Sequence, residues 1–238
     1  MSDDTADDDY APVLPGDAPS DYERYLRTDE LLALQKTGAE RVHHDELLFQ
    51  VVHQSSELWL KHAGFEVATA TAEIREGDLS AAIRLLRRAT LGVRLVTTQL
   101  EMLEQMSPWE YQTVRRVLGH GSGFDSPGFR TIAEVSPRLG DALSSVLEGA
   151  GLDPVELYKR GREFEDLYQL AELLVDWDAR VSLWRSHHYK VVERIIGANV
   201  VGTQGTPVEL LQRLPNNQFY PWLWEARTAL TEAAKLED

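Results

Sequence analysis

The sequence of 238 residues contains no cysteine. This absence excludes disulfides, thiolate-bound metals, iron–sulfur clusters, thiol nucleophiles and any haem attached through thioether bonds. A metal ion ligated by this chain must therefore take histidine or carboxylate ligands.

Long apolar runs and basic residues are also scarce. No uninterrupted apolar stretch approaches the roughly 20 residues needed to cross a bilayer, and the N-terminus lacks the basic and apolar regions of a secretory signal. The chain has 24 basic and 39 acidic side chains, a formal charge of −15 that disfavours nucleic acid and anionic lipid as partners. We therefore expect a soluble, cytoplasmic protein that binds neither nucleic acid nor membranes.

The composition that is present favours one folded domain behind an acidic tail. Hydrophobic residues make up 43% of the chain, enough for a sizeable core. Residues 1–20 are rich in aspartate and proline, which predicts a disordered segment. Neither an internal repeat nor a clear linker divides residues 21–238, so they are expected to form a single all-helical domain.

Amphipathic segments alternate with short breaks along that domain, and no strand-like alternation of any length appears. This pattern predicts an all-α bundle of long helices. Ser107-Pro108 and Asp153-Pro154 have the form of helix caps. The glycine-rich stretch GHGSGFDSPGF predicts a loop. The predicted helices cover about 28–36, 45–76, 79–105, a segment from 108, 137–148, a segment from 154, a seam from 164 through 188, a segment capped at 206, and the C-terminal end.

Two histidines lie on or beside apolar helix faces. His188 falls on one stripe with Val181, Trp184, Val191 and Ile195, whereas its neighbour in the chain, residue 187, points about 100° away. The histidine at position 53 borders the buried stripe of helix 45–76. A single histidine on an apolar face is more often a hydrogen-bonded core residue than a ligand. Two of them on two long helices could lie on opposite sides of a flat cofactor.

Other kinds of site find less support in the sequence. A di-iron bundle needs two Glu-x-x-His motifs, and the chain has one, from Glu40 to His43. The segment GTQGT does not follow a strand and lacks the lysine of a phosphate-binding loop. Tyr111 and Arg115 are four residues apart and project together, so Arg115 could pair with a carboxylate substrate or be an ordinary surface cation.

Five sequence blocks follow one another along the chain: DYERYLRTDELLALQ, HHDELLFQVVHQSSELWLKH, SPWEYQTVRRVLGHGSGFDSPGFR, HYKVVERIIG and FYPWLWEARTAL. Together they resemble, in order, the blocks of the tryptophan 2,3-dioxygenase family between about residues 22 and 230. The resemblance implies an all-α fold that encloses a b-type haem and assembles as a homotetramer, a dimer of dimers. It also implies O2 as co-substrate and cleavage of the indole C2–C3 bond of L-tryptophan or a substituted tryptophan, giving an N-formylkynurenine.

The resemblance further implies roles for single residues around the haem. His188 matches the proximal ligand of the haem iron. His53 matches the catalytic distal histidine that meets the indole N–H, and Phe49 matches an aromatic wall of the substrate pocket.

The remaining matches concern the amino acid part of the substrate and the neighbouring subunit. Arg115 matches the arginine that grips the substrate carboxylate, with Tyr111 beside it. Thr203 matches a threonine that contacts the ammonium and carboxylate groups. Three N-terminal residues match a segment that lines a neighbouring subunit's site: Tyr22, Tyr25 and Leu26.

Two departures from the family pattern bear on the reaction. The family loop Gly-Thr-Gly-Gly-Ser-Ser-Gly is replaced by GTQGTPV at residues 202–208, and only 73 residues separate Arg115 from His188, several dozen fewer than usual. A more open pocket could admit a substituted tryptophan or release a product before ring cleavage. Two alternatives to the dioxygenase therefore stay open: a haem-dependent monooxygenase of a modified tryptophan, and a helical bundle that binds haem or a partner without turnover.

Overall fold

The computed structural model describes residues 11–201, 208, 211, 214 and 216–235, and these residues form helices and loops without a β-strand. The prediction of an all-α fold is thereby confirmed. None of the described helices is long and apolar enough to cross a membrane. The helices are α1 Asp21–Leu26, α2 Thr28–Ala33, α3 Glu46–Glu76, α4 Leu79–Leu103, α5 Pro108–Val117, α6 Pro127–Gly149, α7 Pro154–Lys159, α8 Glu165–Ile196 and α9 Pro221–Ala234.

The main core lies between the four longest helices, α3, α4, α6 and α8. Helix α3 packs on both α4 and α6, and α4 packs on α8. Burial of large side chains such as Trp177 and Leu86 stabilises this arrangement, because it removes apolar surface from water. A second, smaller cluster surrounds Val52, Leu103 and Val191, and Trp184 packs against both clusters. The junction of the two clusters is where the cavity described below opens.

Helix α9 is attached to α8 through a buried carboxylate. Asp178 accepts hydrogen bonds from the backbone N–H of Phe219 at 3.1 Å and from the indole N–H of Trp224 at 2.9 Å. Tyr220 donates its hydroxyl to the carbonyl oxygen of Ser136 at 3.0 Å. These bonds satisfy polar groups that burial would otherwise leave unpaired, and they hold the C-terminal helix on the core.

The predicted cap residues begin the helices as expected. Ser107 Oγ accepts from the backbone N–H of Glu110, and Asp153 Oδ1 accepts from that of Glu156 at 2.8 Å. In both helices the following proline occupies the first turn, where its missing N–H costs no helical hydrogen bond.

Helix α6 begins ten residues earlier than predicted. The expectation of a helix over 137–148 treated Pro137 as its start, whereas the structure places Pro137 inside a helix that begins at Pro127. Ser126 is the N-cap, and its hydroxyl oxygen accepts from the N–H of Phe129 at 3.2 Å. The buried face of α6, packed on α3, outweighs the one hydrogen bond that an interior proline removes.

The second half of the predicted N-terminal tail contacts α1. Asp21 accepts from the backbone N–H groups of Val13 and Leu14, the latter at 2.7 Å, and Arg24 donates to the carbonyl oxygen of Ala18 at 2.7 Å. Residues 1–10 and the helix predicted to begin at 206 lie outside, or almost wholly outside, the described residues. The disorder predicted for residues 1–10 and the helix predicted to begin at 206 therefore stay predictions.

Candidate active site

A cavity of about 800 Å³ opens between α3, α5, α6 and α8 and the segment that joins α5 to α6. This volume lies within the range of sites that bind small molecules and cofactors. Its walls are mainly apolar, with side chains such as Leu103, Ile132, Val181 and Ile195. The polar groups that do face it are few, and each is therefore informative about the chemistry of the site.

His188 contributes an uncharged imidazole to the wall formed by α8. Burial lowers its pKa to about 4, and the neighbouring imidazoles of His53 and His187 act in the same direction. A neutral ring at pH 7 keeps a lone pair, which is the form that binds a metal ion. Trp184, one turn earlier, stacks on it with ring centres 5.0 Å apart and planes inclined by 8°. This stacking restrains the plane of the His188 ring.

His187 has a different environment, as the helical periodicity predicts. Its Nε2 lies 2.7 Å from a carboxylate oxygen of Glu104, the residue that follows α4, and His187 does not line the cavity. The pair connects α8 to the C-terminal end of α4. Of the two adjacent histidines, His188 alone faces the site.

His53 lies on the α3 side of the same cavity. Its Nδ1 is 2.7 Å from the carbonyl oxygen of Phe49. Because a carbonyl oxygen can only accept, Nδ1 carries the hydrogen and Nε2 keeps the lone pair. The side chain keeps contact with solvent, yet desolvation by the surrounding protein lowers the pKa of His53, while the Phe49 carbonyl and Glu57 partly oppose that shift. The ring is therefore a neutral hydrogen-bond acceptor at pH 7.

Helix α5 supplies a cation and a phenol to the cavity. Arg115 Nη2 donates to the carbonyl oxygen of Val201 at 2.7 Å, which holds the guanidinium at the edge of the site. Tyr111, one turn earlier, lies with its ring centre 6.0 Å from that of Phe49. Desolvation raises the pKa of the Tyr111 hydroxyl, so it stays protonated and can donate a hydrogen bond. Phe49 itself packs against the His53 ring, with centres 4.0 Å apart.

The structure thus brings five of the candidate residues from the sequence to one cavity: Phe49, His53, Tyr111, Arg115 and His188. Thr203 lies outside the described residues. Tyr22, Tyr25 and Leu26 lie on α1, where they are exposed and do not line the cavity of their own chain.

Sequence reasoning did not assign several other groups that face the cavity. Glu57 is the most prominent, because its carboxylate accepts from the hydroxyl of Ser126 and from the backbone N–H of Gly128 at 2.8 Å. Its position four residues after His53 was a signal that both side chains share one face of α3. Two cations, Arg130 and Arg185, also line the cavity.

The residues around the cavity suit a flat cofactor that brings most of its own ligands. Among the described residues, no group of three or more histidine or acidic side chains is placed to hold a bare metal ion. His188 could supply a neutral imidazole nitrogen to the iron from an apolar wall, and haem needs few protein ligands beyond one such group. The indole N–H of Trp184 is buried beside it without an acceptor, a state that costs about 1–3 kcal/mol. A bound group that carries acceptors would relieve this cost, so the site fits haem.

Fold and cavity together define a class: an all-α protein with a large apolar site that is lined by one neutral histidine able to bind a metal and by a second neutral histidine from another helix. Residues 11–148 match the family profile of tryptophan 2,3-dioxygenase. The tryptophan 2,3-dioxygenase of Caulobacter vibrioides is 35% identical, over 88% of this chain and 98% of that protein. Those of Bacillus thuringiensis and Shewanella woodyi are 32% and 31% identical over 88% of the chain, and the match covers 92% and 90% of their lengths.

The chain belongs to the tryptophan 2,3-dioxygenase family, a family of haem-dependent oxygenases that use O2. This confirms the resemblance drawn from the five sequence blocks. The alignment with the Caulobacter relative runs over 260 positions, more than the 238 residues of this chain. The relatives therefore contain stretches that this chain lacks.

Proposed function

We propose that the protein catalyses the haem-dependent insertion of both atoms of O2 across the indole C2–C3 bond of L-tryptophan or a substituted tryptophan. The bond between the two carbons breaks, each carbon gains one oxygen, and the product is an N-formylkynurenine. The observation that carries the proposal is the meeting of His53, His188 and Arg115 in one apolar cavity. The names of the relatives also favour ring-cleaving dioxygenation over the addition of a single oxygen atom.

His188 is the residue that would hold haem b, through a neutral imidazole on α8. When bound, haem supplies the redox-active iron through which dioxygen is activated. The low pKa of His188 keeps its ligating nitrogen free of a proton throughout the neutral range. The apolar walls, including Leu103 and Ile195, keep water from competing with the organic substrate.

His53 and Phe49 would orient the indole ring. The Nε2 of His53 carries the lone pair because its Nδ1 hydrogen is donated to Phe49, so Nε2 is placed to accept the indole N–H. The Phe49 ring offers an aromatic face beside it. Fixing the ring in this way positions one carbon–carbon bond for reaction, which lowers the entropic part of the barrier.

Arg115 and Tyr111 would hold the amino acid part of the substrate. The Arg115 guanidinium can bind a carboxylate through two parallel hydrogen bonds, while its Nη2 bond to Val201 holds the side chain in place. The protonated Tyr111 hydroxyl adds a donor one turn away. We include Thr203 in this subsite on the strength of the family pattern.

The N-terminal helix supports assembly as a homotetramer in which one subunit completes the site of another. On α1, Tyr22 and Tyr25 are 68% and 78% exposed, and Leu26 is 46% exposed. Large apolar side chains at this density on a six-residue helix favour burial against a second copy of the chain. Replacing Tyr25 with serine should raise the KM for tryptophan without changing the ligation of the haem by His188, and an unchanged KM would count against this role.

The experiment that tests the proposal identifies the product. The purified protein is loaded with haem, reduced without oxygen, and given L-tryptophan and O2, and the product is analysed by mass. A gain of two oxygen atoms with the absorbance of N-formylkynurenine supports the proposal. A gain of one oxygen, or turnover only with a substituted tryptophan, moves the chain to the monooxygenase alternative or to a specialised substrate.

A matched pair of arginine variants tests the carboxylate subsite in the same preparation. Arg115→Ala should weaken tryptophan binding by about 2–4 kcal/mol, because a charge-assisted pair is lost. Arg116→Ala, at the exposed neighbouring position, is the control and should bind tryptophan as the wild type does. Equal affinities for the two variants would remove Arg115 from the site and favour a bundle that binds haem without turnover.

A further inference from the structure

The segment between α5 and α6 forms a self-bonded turn that faces the cavity. Its centre is a 3₁₀ turn, Gly123–Asp125, in which a carboxylate oxygen of Asp125 accepts from the N–H of Ser122 at 3.0 Å. The Ser122 hydroxyl oxygen in return accepts from the N–H of Phe124 at 3.3 Å. These reciprocal bonds make residues 122–125 a small preformed unit. We call it the 122–125 turn.

The position of the 122–125 turn determines how much room is left beside His188. Gly123 lies next to α8: a Cβ atom at this residue would be in van der Waals contact with the His188 ring, 3.7 Å from its Cε1. Four residues of the turn line the cavity: Ser122, Gly123, Phe124 and Asp125. A movement of the turn by about 1 Å would therefore change the space next to the His188 ring.

Glu57 attaches the end of this turn to α3. Its carboxylate accepts from the Ser126 hydroxyl and from the N–H of Gly128 at 2.8 Å, at the first residues of α6. A negative charge suits this end of a helix, where N–H groups are unpaired. The backbones meet closely here, because a Cβ atom on Gly128 would lie 2.6 Å from Cβ of Leu60.

Glu57 also faces the cavity, one helical turn after His53. The same residue therefore stands one turn from the candidate catalytic histidine of α3 and holds the end of the turn that contacts His188. We propose that Glu57 is a positioning residue for the oxygenation: by fixing the 122–125 turn on α3, it gives the space between His53 and His188 a single shape. This inference rests on the proposed function.

Two variants, Glu57→Gln and Glu57→Ala, distinguish the positioning role of Glu57 from the effect of its negative charge. In Glu57→Gln, the amide oxygen can accept from the N–H of Gly128, and the amide NH₂ can donate to the hydroxyl of Ser126, which accepts as well as donates. Both contacts survive, although the bond to Ser126 reverses its direction, and the charge is lost. In Glu57→Ala, both contacts are lost.

The experiment measures amide hydrogen exchange and steady-state kinetics on haem-loaded wild type, E57Q, E57A and a control, E76A, which changes an exposed glutamate near the end of the same helix. In E57A, peptides covering 119–130 should exchange faster while the rest of α6 stays protected. Its kcat/KM for tryptophan should fall by about 10- to 100-fold, and that of E57Q by no more than about threefold. E76A should match the wild type in both measurements.

Three results would overturn the proposal. Unchanged exchange of residues 119–130 in E57A would mean that Glu57 does not fix the turn. Faster exchange with unchanged kcat/KM would mean that the turn does not matter for the reaction. An equal loss in E57Q and E57A would assign the effect to the charge of Glu57.

Two further measurements keep the proposal testable. If E57A does not fold, Ser126→Ala removes one of the two contacts together with the N-cap bond to Phe129, and it should also give faster exchange of residues 119–130 and a lower kcat/KM. If the wild type does not turn over tryptophan, the proposed function fails on its own. In that event, exchange of the 119–130 peptides and the haem absorption band of E57A and E57Q still decide whether Glu57 fixes the turn beside the cofactor.

Discussion

Replacing Gly128 with alanine tests the closest backbone contact around the site. A Cβ atom at this position would lie 2.6 Å from Cβ of Leu60 and 2.7 Å from a carboxylate oxygen of Glu57. Neither neighbour can withdraw freely, since Cβ of Leu60 is fixed to its helix backbone and Glu57 is hydrogen-bonded to the residues being displaced. The start of α6 must therefore move away from α3.

The magnitude follows from two opposing effects. Overpacking a close contact costs about 1–3 kcal/mol. The greater helix propensity of alanine returns up to about 1 kcal/mol. We expect a net loss of about 1–2 kcal/mol in the free energy of unfolding, which for a chain of this size corresponds to a fall in Tm of about 2–8 °C.

Gly149, at the other end of α6, provides a matched control. A Cβ atom there would have nothing within 4 Å, so Gly149→Ala should stabilise the protein by about 0.5–1 kcal/mol through the backbone alone. Thermal unfolding of both variants, followed by circular dichroism at one protein concentration, compares two identical chemical changes with opposite expected signs. If Gly128→Ala is as stable as Gly149→Ala, α3 and α6 do not approach each other at Gly128 as closely as described.

The remaining predictions concern single side chains. Desolvation lowers the pKa of His53, so kcat/KM should decrease at low pH with a midpoint below that of an ordinary imidazole, about 6.5. Glu57→Gln removes a charge that favours the protonated ring and should move this midpoint to lower pH. A midpoint at or above pH 6.5 would contradict this environment. Asp178→Ala leaves three donors near the start of α9 without their acceptor, so it should lower the free energy of unfolding by about 3 kcal/mol or more. An unchanged midpoint of denaturant unfolding would disprove this. His188→Ala should abolish the haem absorption band, whereas His187→Ala should keep it; the reverse pattern would exchange their roles.

The sequence predicted the long helices well because their apolar periodicity is strong and their ends carry clear signals. The helix predicted over 45–76 is observed as Glu46–Glu76, and Gly77 ends it with a positive φ of 89°. The start of α6 was missed although Ser126-Pro127 has the same cap pattern as Ser107-Pro108. The glycines around this cap predicted a loop, and Pro137 was taken as the start of the helix, so the cap at Ser126 was overlooked. Helix formation there depends on packing against α3, which no local pattern reveals.

The candidate site was predictable to the extent that it depends on helix faces or on the family pattern. His53 and His188 stand out because each is a polar residue on or beside an apolar stripe. The role of Glu57 could not be read in the same way, because its partner Ser126 is 69 residues away in the chain. A contact between distant segments depends on how α3 and α6 cross, and the crossing is set by small residues such as Gly128 rather than by charge.

The first turn of α6 has a consequence for how this site can change over time. Gly128 is held by Glu57 on the α3 side, and the next residue, Phe129, stacks on Trp184 with ring centres 3.6 Å apart. Trp184 in turn stacks on His188. One peptide bond thus joins the residue held by Glu57 to the stack of rings that ends at His188. If His188 binds the haem as proposed, a substitution at 128 or 129 that reshapes the substrate space would also move the ring that holds the cofactor, so the two properties would change together.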